Sequence, residues 1–149
     1  MSHYKVIFEE PQPGEEDHIV VRCRTVSPEL LQVLDKLKKE GVTALPAYSE
    51  NKLYRISPSD IFYIEAVDNR VFYYCQSKVY ESKQKLYELE DLLSADGFLR
   101  VSKSLIVNLG KIESLAPALA SRLEATLTNN ERIMISRKYV NDLKTRLGL

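Results

Sequence analysis

The amino-acid sequence predicts a mainly β fold with short helices, α+β overall, and three observations carry that expectation. From Ala47 onward, short runs rich in Tyr, Phe, Val and Ile recur between turn residues, the composition that suits a pleated surface. One of them, Arg122–Thr128, alternates cleanly, with Leu123, Ala125 and Leu127 on one side and Arg122, Glu124 and Thr126 on the other. Helical periodicity is confined to three short stretches, each bounded by its own start or stop signal.

In chain order, Tyr4–Glu10 and His18–Arg24 read as strands, separated by Pro11, Pro13 and Gly14. Ser27-Pro28 starts a helix, with Ser as N-cap and Pro at the first helical position. Leu30, Leu34 and Leu37 then recur at helical spacing, Lys38 and Lys39 fall in the last turn, and Gly41 is the stop. Residues 1–45 therefore form a small β-β-α extension, too small to be stable alone and expected to pack on the rest of the chain or on another copy of itself. Residues 46–149 make the main domain. Asn51–Ile56 is a strand, and Ser57-Pro58-Ser59-Asp60 is a turn. Ile61–Val67 and Arg70–Cys75 pair across Asp68-Asn69, and Lys78–Ser82 is the next strand. Leu86, Leu89, Leu92 and Leu93 mark a helix over 84–94 that ends near Asp96-Gly97. Phe98–Val101 is a short strand, and Ser102–Leu109 fits both a helical turn and a strand. Ile112–Leu115, Arg122–Thr128 and Arg132–Ser136 are strands, the last two meeting in a two-residue turn at Asn129-Asn130, because Asn tolerates positive φ. A helix from Arg137 to Leu147, apolar at Val140, Leu143 and Leu147, closes the chain.

Composition excludes several functions. The chain has 149 residues, 44% hydrophobic and 28% charged, which describes a foldable globular protein. No apolar run approaches the ~20 residues of a membrane-spanning helix, and Met1–Glu10 is not a signal peptide. Cys23 and Cys75 are the only cysteines, and His3 and His18 the only histidines, so the usual zinc sites, multi-His metal sites and His-based triads are not expected. The two lone cysteines suit a reducing cytoplasm. Five scattered glycines build no phosphate loop, so no metal and no cofactor are expected. Glu65 and Asp68 read as a strand residue and a turn residue, and Cys75 as a small buried thiol, so the chain does not read as an enzyme.

Net charge is zero, yet it is segregated. Residues 98–149 carry nine Lys/Arg against four acids, whereas the preceding residues carry twelve against seventeen. Such asymmetry hints at an anionic partner for the basic end. Two basic clusters stand out there. Ser136 can cap the last helix, and Arg137 and Lys138 come next in its first turn, where cations oppose the macrodipole at a cost of a few tenths to about 1 kcal/mol each. Free N–H groups with two cations suit a phosphate backbone. The second cluster is Arg100-Val101-Ser102-Lys103-Ser104, a concentration of phosphate and base-edge donors anchored by the apolar Leu105-Ile106-Val107.

Phe98-Leu99-Arg100-Val101-Ser102-Lys103-Ser104-Leu105-Ile106-Val107-Asn108 resembles the central signature of LytTR-type DNA-binding domains of bacterial transcription regulators. Asp60-Ile61-Phe62-Tyr63-Ile64-Glu65-Ala66 resembles their opening strand motif and Ile135-Ser136-Arg137-Lys138-Tyr139 their closing one, with Asn108 and Ile112-Glu113-Ser114 in the expected order. The resemblance covers roughly residues 46–147. It implies an elongated, mostly antiparallel β fold of about ten short strands, whose loops enter successive major grooves of double-stranded DNA. The contact positions it implies are Asn69 or Arg70 in the first turn, Ser102 and Lys103 in the central segment, and Arg137 near the last helix, with Arg100, Ser104 and Lys138 as neighbouring phosphate contacts. Many members have His or Asn among the residues matched by Ser102-Lys103 and Asn69, a departure that bears on base preference and not on binding mode. The extension is too short for the receiver domain that many members carry, so the chain resembles the short stand-alone regulators, some of which are restrained by a small membrane protein made alongside them. The expectation is thus a sequence-specific regulator reading promoter repeats in DNA, with residues 1–45 serving dimerisation (a homodimer) or a regulatory partner. The rival expectation is a protein-binding regulatory module without direct DNA contact, which would use the extension and exposed strand edges.

Overall fold

A computed structural model describes residues 4–38 and 42–149. The chain divides into two units, Met1–Lys38 and Lys39–Leu149.

In the first unit the helix forms and the two strands do not. Helix α1 spans Pro28–Lys38. The Leu30 N–H donates to Ser27 Oγ at 3.1 Å, so Ser27 caps it. The expected stop at Gly41 lies outside the described residues. Tyr4–Glu10 and His18–Arg24 carry no ladder, a correction to the β-β-α expectation. The chain does reverse between them. The Glu15 N–H donates to Gln12 O at 2.9 Å, and Gly14 sits at φ 86° after Pro13, the residue pattern of a type II turn. It lies inside the seven-residue connection 11–17, so it reverses the chain without fixing a register between Tyr4–Glu10 and His18–Arg24. Two strands alone are also marginal in water.

The second unit contains ten strands, all antiparallel where paired. They are β1 (Leu45–Ser49), β2 (Lys52–Ile56), β3 (Ile61–Val67), β4 (Arg70–Cys75), β5 (Val79–Ser82), β6 (Phe98–Ser102), β7 (Leu105–Asn108), β8 (Ile112–Pro117), β9 (Leu123–Leu127) and β10 (Arg132–Ile135). Helix α2 (Leu86–Leu92) lies between β5 and β6, and α3 (Val140–Leu147) closes the chain. Seven strands form one sheet in the order β2-β1-β5-β4-β3-β7-β6, and three form a second, β10-β9-β8.

The large sheet has a core on each face. On one, Leu86, Leu89 and Leu93 at α2 pack with Ile61, Ile64, Val71, Tyr73 and Ile106. On the other, Phe62, Val101, Leu105 and Val107 meet Ala125 and Leu127 of β9, Ile133 and Ile135 of β10, and Leu143 of α3. Strand β7 feeds both, and all four of its residues are buried. A strand covered on both faces reads as a continuous apolar run, not an alternating one, which explains why Leu105-Ile106-Val107 fitted two structures in the sequence.

Two turns differ from expectation. The β9–β10 connection is a three-residue loop, Thr128–Asn130, in which only Asn130 takes positive φ (69°). The Asn130 N–H donates to Leu127 O at 2.9 Å and the Leu127 N–H to Glu131 O at 2.8 Å, a type I turn followed by a left-handed residue. Strand β1 was hidden by Pro46, which argues against a strand interior. Pairing of β1 with β5 is limited to Tyr48 opposite Glu81, so the missing Pro46 N–H disrupts no ladder on that side.

Candidate nucleic-acid interface

Three connections converge at one end of the large sheet. The first is the β3–β4 hairpin tip. Asp68 (φ 50°) and Asn69 (φ 63°) are both left-handed, as a two-residue type I′ turn requires, and Asp and Asn are residues that tolerate it. Asn69 is exposed. Arg70 starts β4, and its Nε and Nη2 donate to the two carboxylate oxygens of Glu81 on β5 at 2.7 and 2.9 Å. The guanidinium lies 5.2 Å from the centre of the Phe72 ring. Its side chain is 61% exposed, yet its orientation is set by β5 and Phe72. Arg70 in turn holds the Glu81 carboxyl below its usual range through those hydrogen bonds.

The second is the β6–β7 tip. The ladder shifts register between Arg100 and Ser102, a bulge that re-aims the strand end. Ser102 Oγ accepts from the Ser104 N–H at 3.2 Å and pins the turn, leaving Lys103 and Ser104 exposed and Ser102 half-buried. Arg100, expected among the phosphate contacts, is instead turned into the protein. Its Nε donates to Ser102 O at 2.8 Å, a terminal nitrogen donates to Lys103 O, and another meets Glu90 of α2 at 2.9 Å. With its side chain only 19% exposed, Arg100 braces the tip, and its charge is neutralised by Glu90.

The third is the entry to the last helix. The Ser136 N–H donates to Val101 O at 2.9 Å, and a 3-10 turn over Arg137–Tyr139 leads into α3. The side-chain cap expected from Ser136 is not made. Arg137 and Lys138 are exposed on this turn, with Lys138 Nζ 5.7 Å from the centre of the Tyr139 ring.

Two backbone bonds join the three. The Ala66 N–H donates to Ser104 O at 2.9 Å, tying the β3–β4 tip to the β6–β7 tip. The Ser136–Val101 bond places Arg137 beside Ser102. The structure therefore brings Asn69, Ser102, Lys103, Ser104, Arg137 and Lys138 to one end of the sheet, with Arg70 and Arg100 present but engaged in ion pairs. Among the described residues, no salt bridge involves Lys103, Arg137 or Lys138. The end thus presents ammonium, guanidinium, amide and hydroxyl donors, the set that contacts phosphate oxygens and purine edges. Sequence reasoning missed Glu81 and Glu90, which come from a neighbouring strand and a helix and leave no local signal beside the arginines they hold.

The architecture limits how such an end could be used. Helices α2 and α3 have seven and eight residues, with strands between them, so the described residues contain no helix-turn-helix pair. No helix among the described residues is long and apolar enough to cross a membrane. At the far end of the sheet is a cleft of about 320 Å³ beside Cys75 and Lys111. Lys78 on its rim is occupied by aromatic rings, lying 4.1 Å from the centre of Tyr54 and 5.0 Å from that of Tyr80.

Comparison with known proteins adds an independent line. The family model described as the LytTr DNA-binding domain matches residues 51–148. The sensory transduction protein LytT of Enterococcus faecalis is 28% identical over 141 residues, 93% of this chain and 58% of that protein. The sensory transduction protein LytR of Staphylococcus haemolyticus is 24% identical over 145 residues, 97% of this chain and 56% of that protein. The chain thus spans a little over half the length of these relatives. An uncharacterized HTH-type transcriptional regulator of Staphylococcus aureus is 30% identical over 105 residues, 70% of this chain and 71% of that protein. Among solved structures, a LytTr DNA-binding domain from Bacillus cereus superposes with a TM-score of 0.69 at 27% identity, covering 73% of this chain and all of that one.

Proposed function

The chain belongs to the LytTR DNA-binding domain family, and from that premise we propose that it is a transcription regulator that reads double-stranded DNA with loops. The observation that carries this reading is the convergence of the β3–β4 tip, the β6–β7 tip and the Arg137–Tyr139 turn, held by the Ala66–Ser104 and Ser136–Val101 backbone bonds. Asn69, Ser102, Lys103 and Arg137 are the residues proposed to meet base edges in the major groove, and Ser104 and Lys138 the phosphates. Arg70 and Arg100 act mainly by holding their loops, since both guanidinium groups are engaged with carboxylates. The mechanism is occupancy of promoter repeats, with no covalent step.

Titration of the full chain against DNA from upstream of its own coding region and against a scrambled duplex tests this. The three cations at this end outside any ion pair, Lys103, Arg137 and Lys138, would give a log–log salt slope of about −3 for each bound chain. Lys103→Ala is expected to weaken the cognate site and flatten preference at one or two base pairs, by about 1–3 kcal/mol. Lys138→Ala is expected to weaken both duplexes alike and reduce the slope by about 1. Salt-insensitive binding, or unchanged affinity in both variants, would remove this end of the sheet as the DNA surface.

A further inference from the structure

We propose that Tyr4–Glu10 is a self-complementary strand through which two copies of this chain pair antiparallel about a two-fold axis at Ile7. The segment holds a concentrated run of exposed apolar residues, with Val6 74%, Ile7 64% and Phe8 94% exposed. It has strand composition and no ladder in the isolated chain. Its charges lie symmetrically about the centre: Lys5 two residues before Ile7 and Glu9 two residues after.

Antiparallel pairing centred on Ile7 sets Lys5 opposite the partner's Glu9, and Glu9 opposite the partner's Lys5. Val6 meets the partner's Phe8, Phe8 the partner's Val6, and Ile7 meets itself. Opposite charges and large apolar residues facing one another are the pairs that stabilise a sheet, and a two-fold axis makes each count twice. A shift one way keeps Lys5 opposite a glutamate, the partner's Glu10, but sets Val6 against Glu9, and a shift the other way sets Lys5 against Phe8, so only the register centred on Ile7 pairs both the charges and the apolar residues. The other strand-like segment, His18–Arg24, has no such property. Centred on Val21, it would set His18 against Arg24 and Val20 against Arg22, with no carboxylate to oppose its cations. A second copy of the same chain is therefore the occupant that the charge pattern fits.

The pairing also accounts for the missing hairpin. The turn at Gln12–Glu15 already reverses the chain, but two strands lack the neighbours needed for stability. Two copies joined through Tyr4–Glu10 supply a four-stranded sheet, with each His18–Arg24 closing as an outer strand. Such a dimer carries two copies of the DNA-binding unit and gains avidity for paired sites. It does not depend on DNA, and its test uses none.

The test is the mass of the full chain in solution, measured by sedimentation equilibrium across a wide concentration range. The expected result is a reversible dimer of twice the 17.1 kDa chain mass. Lys5→Glu and Glu9→Lys, each of which sets like charges opposite one another twice, are expected to raise the dimer dissociation constant by at least about tenfold at low salt. The double variant Lys5→Glu/Glu9→Lys restores opposite charges and is expected to return to within about threefold of the native value. Far-UV circular dichroism of each variant monitors folding, and recovery in the double variant separates pairing from misfolding. A chain that is monomeric throughout the range, single reversals that leave association unchanged, or a double variant that is not rescued would each overturn the proposal.

Discussion

Arg100 reads in one way from the sequence and is engaged in another way in the fold. In the sequence it is a cation beside Ser102 and Lys103, so phosphate contact is the natural expectation. In the folded chain it ties two turn carbonyls to Glu90. Arg100→Ala is expected to destabilise the fold by about 1–3 kcal/mol, because hydrogen bonds to charged groups are lost and Glu90 is left without its partner. DNA affinity should fall through loosening of the tip while the salt slope stays unchanged; a slope reduced by about 1 would mean that Arg100 is itself a phosphate contact. Denaturant titration and salt-dependent binding read the two effects separately. Cys75 offers a pH probe at the same scale. Burial, reinforced by the nearby Asp60 carboxylate, pushes its thiol from 9.0 up to about 11. A raised folded-state value contributes stability that is fully present below 9.0 and lost as pH rises towards 11. Comparing urea midpoints of the native chain and Cys75→Ala at pH 8 and at pH 10.5 should show the native chain losing more across that window. Burial also raises the Tyr63 hydroxyl, helped by the nearby Glu131 carboxylate, and the resulting alkaline loss is common to both proteins. The exposed cations Lys103, Arg137 and Lys138 were legible because they stand in local clusters. The ion pairs of Arg70 and Arg100 were not, because their partners lie eleven and ten positions away on other elements.

Among elements, the contrast between β9 and β7 shows what alternation can and cannot reveal. Strand β9 alternates because one side faces the core, with Ala125 and Leu127 buried. Strand β7 is buried throughout and carries no period. Tyr4–Glu10 shows the converse: strand composition is necessary for a ladder but does not supply the neighbour that completes one. Asn108, at the end of β7, is a polar residue in this apolar setting. Its Nδ2 donates to Ile61 O at 2.9 Å and its Oδ1 accepts from the Gly110 N–H at 3.1 Å, locking the start of β3 to the turn after β7. Asn108→Ala leaves a buried carbonyl and a turn N–H without partners and is expected to cost about 1–3 kcal/mol. Thermal unfolding would show it as a lowered midpoint. Asn108→Asp should be no rescue, since a carboxylate cannot donate to Ile61 O.

At the scale of the whole molecule, the two units make a truncation informative. Residues 39–149 hold both cores of the DNA-binding unit. A fragment starting near Ala47 lacks Leu45 and would test β1 as much as the extension, so a start at Val42 is the better cut. That fragment is expected to fold and to keep half-site affinity within about threefold, because the extension is net acidic and suited to repel DNA. A larger loss of half-site affinity would place residues 1–38 at the DNA. The backbone bonds between loops also make the sheet end a fixed gauge. Neighbouring strands stand about 4.8 Å apart, and the Ala66–Ser104 and Ser136–Val101 bonds leave the three tips little freedom to slide past one another. A duplex advances about 3.4 Å for each base pair along a strand. If these tips read DNA, one base pair inserted inside a half-site cannot be absorbed by the protein, and the misfit falls on the duplex as bending or twist. Tolerance of such insertions should therefore track the flexibility of the inserted step, greatest at a pyrimidine–purine step and least within an A-tract.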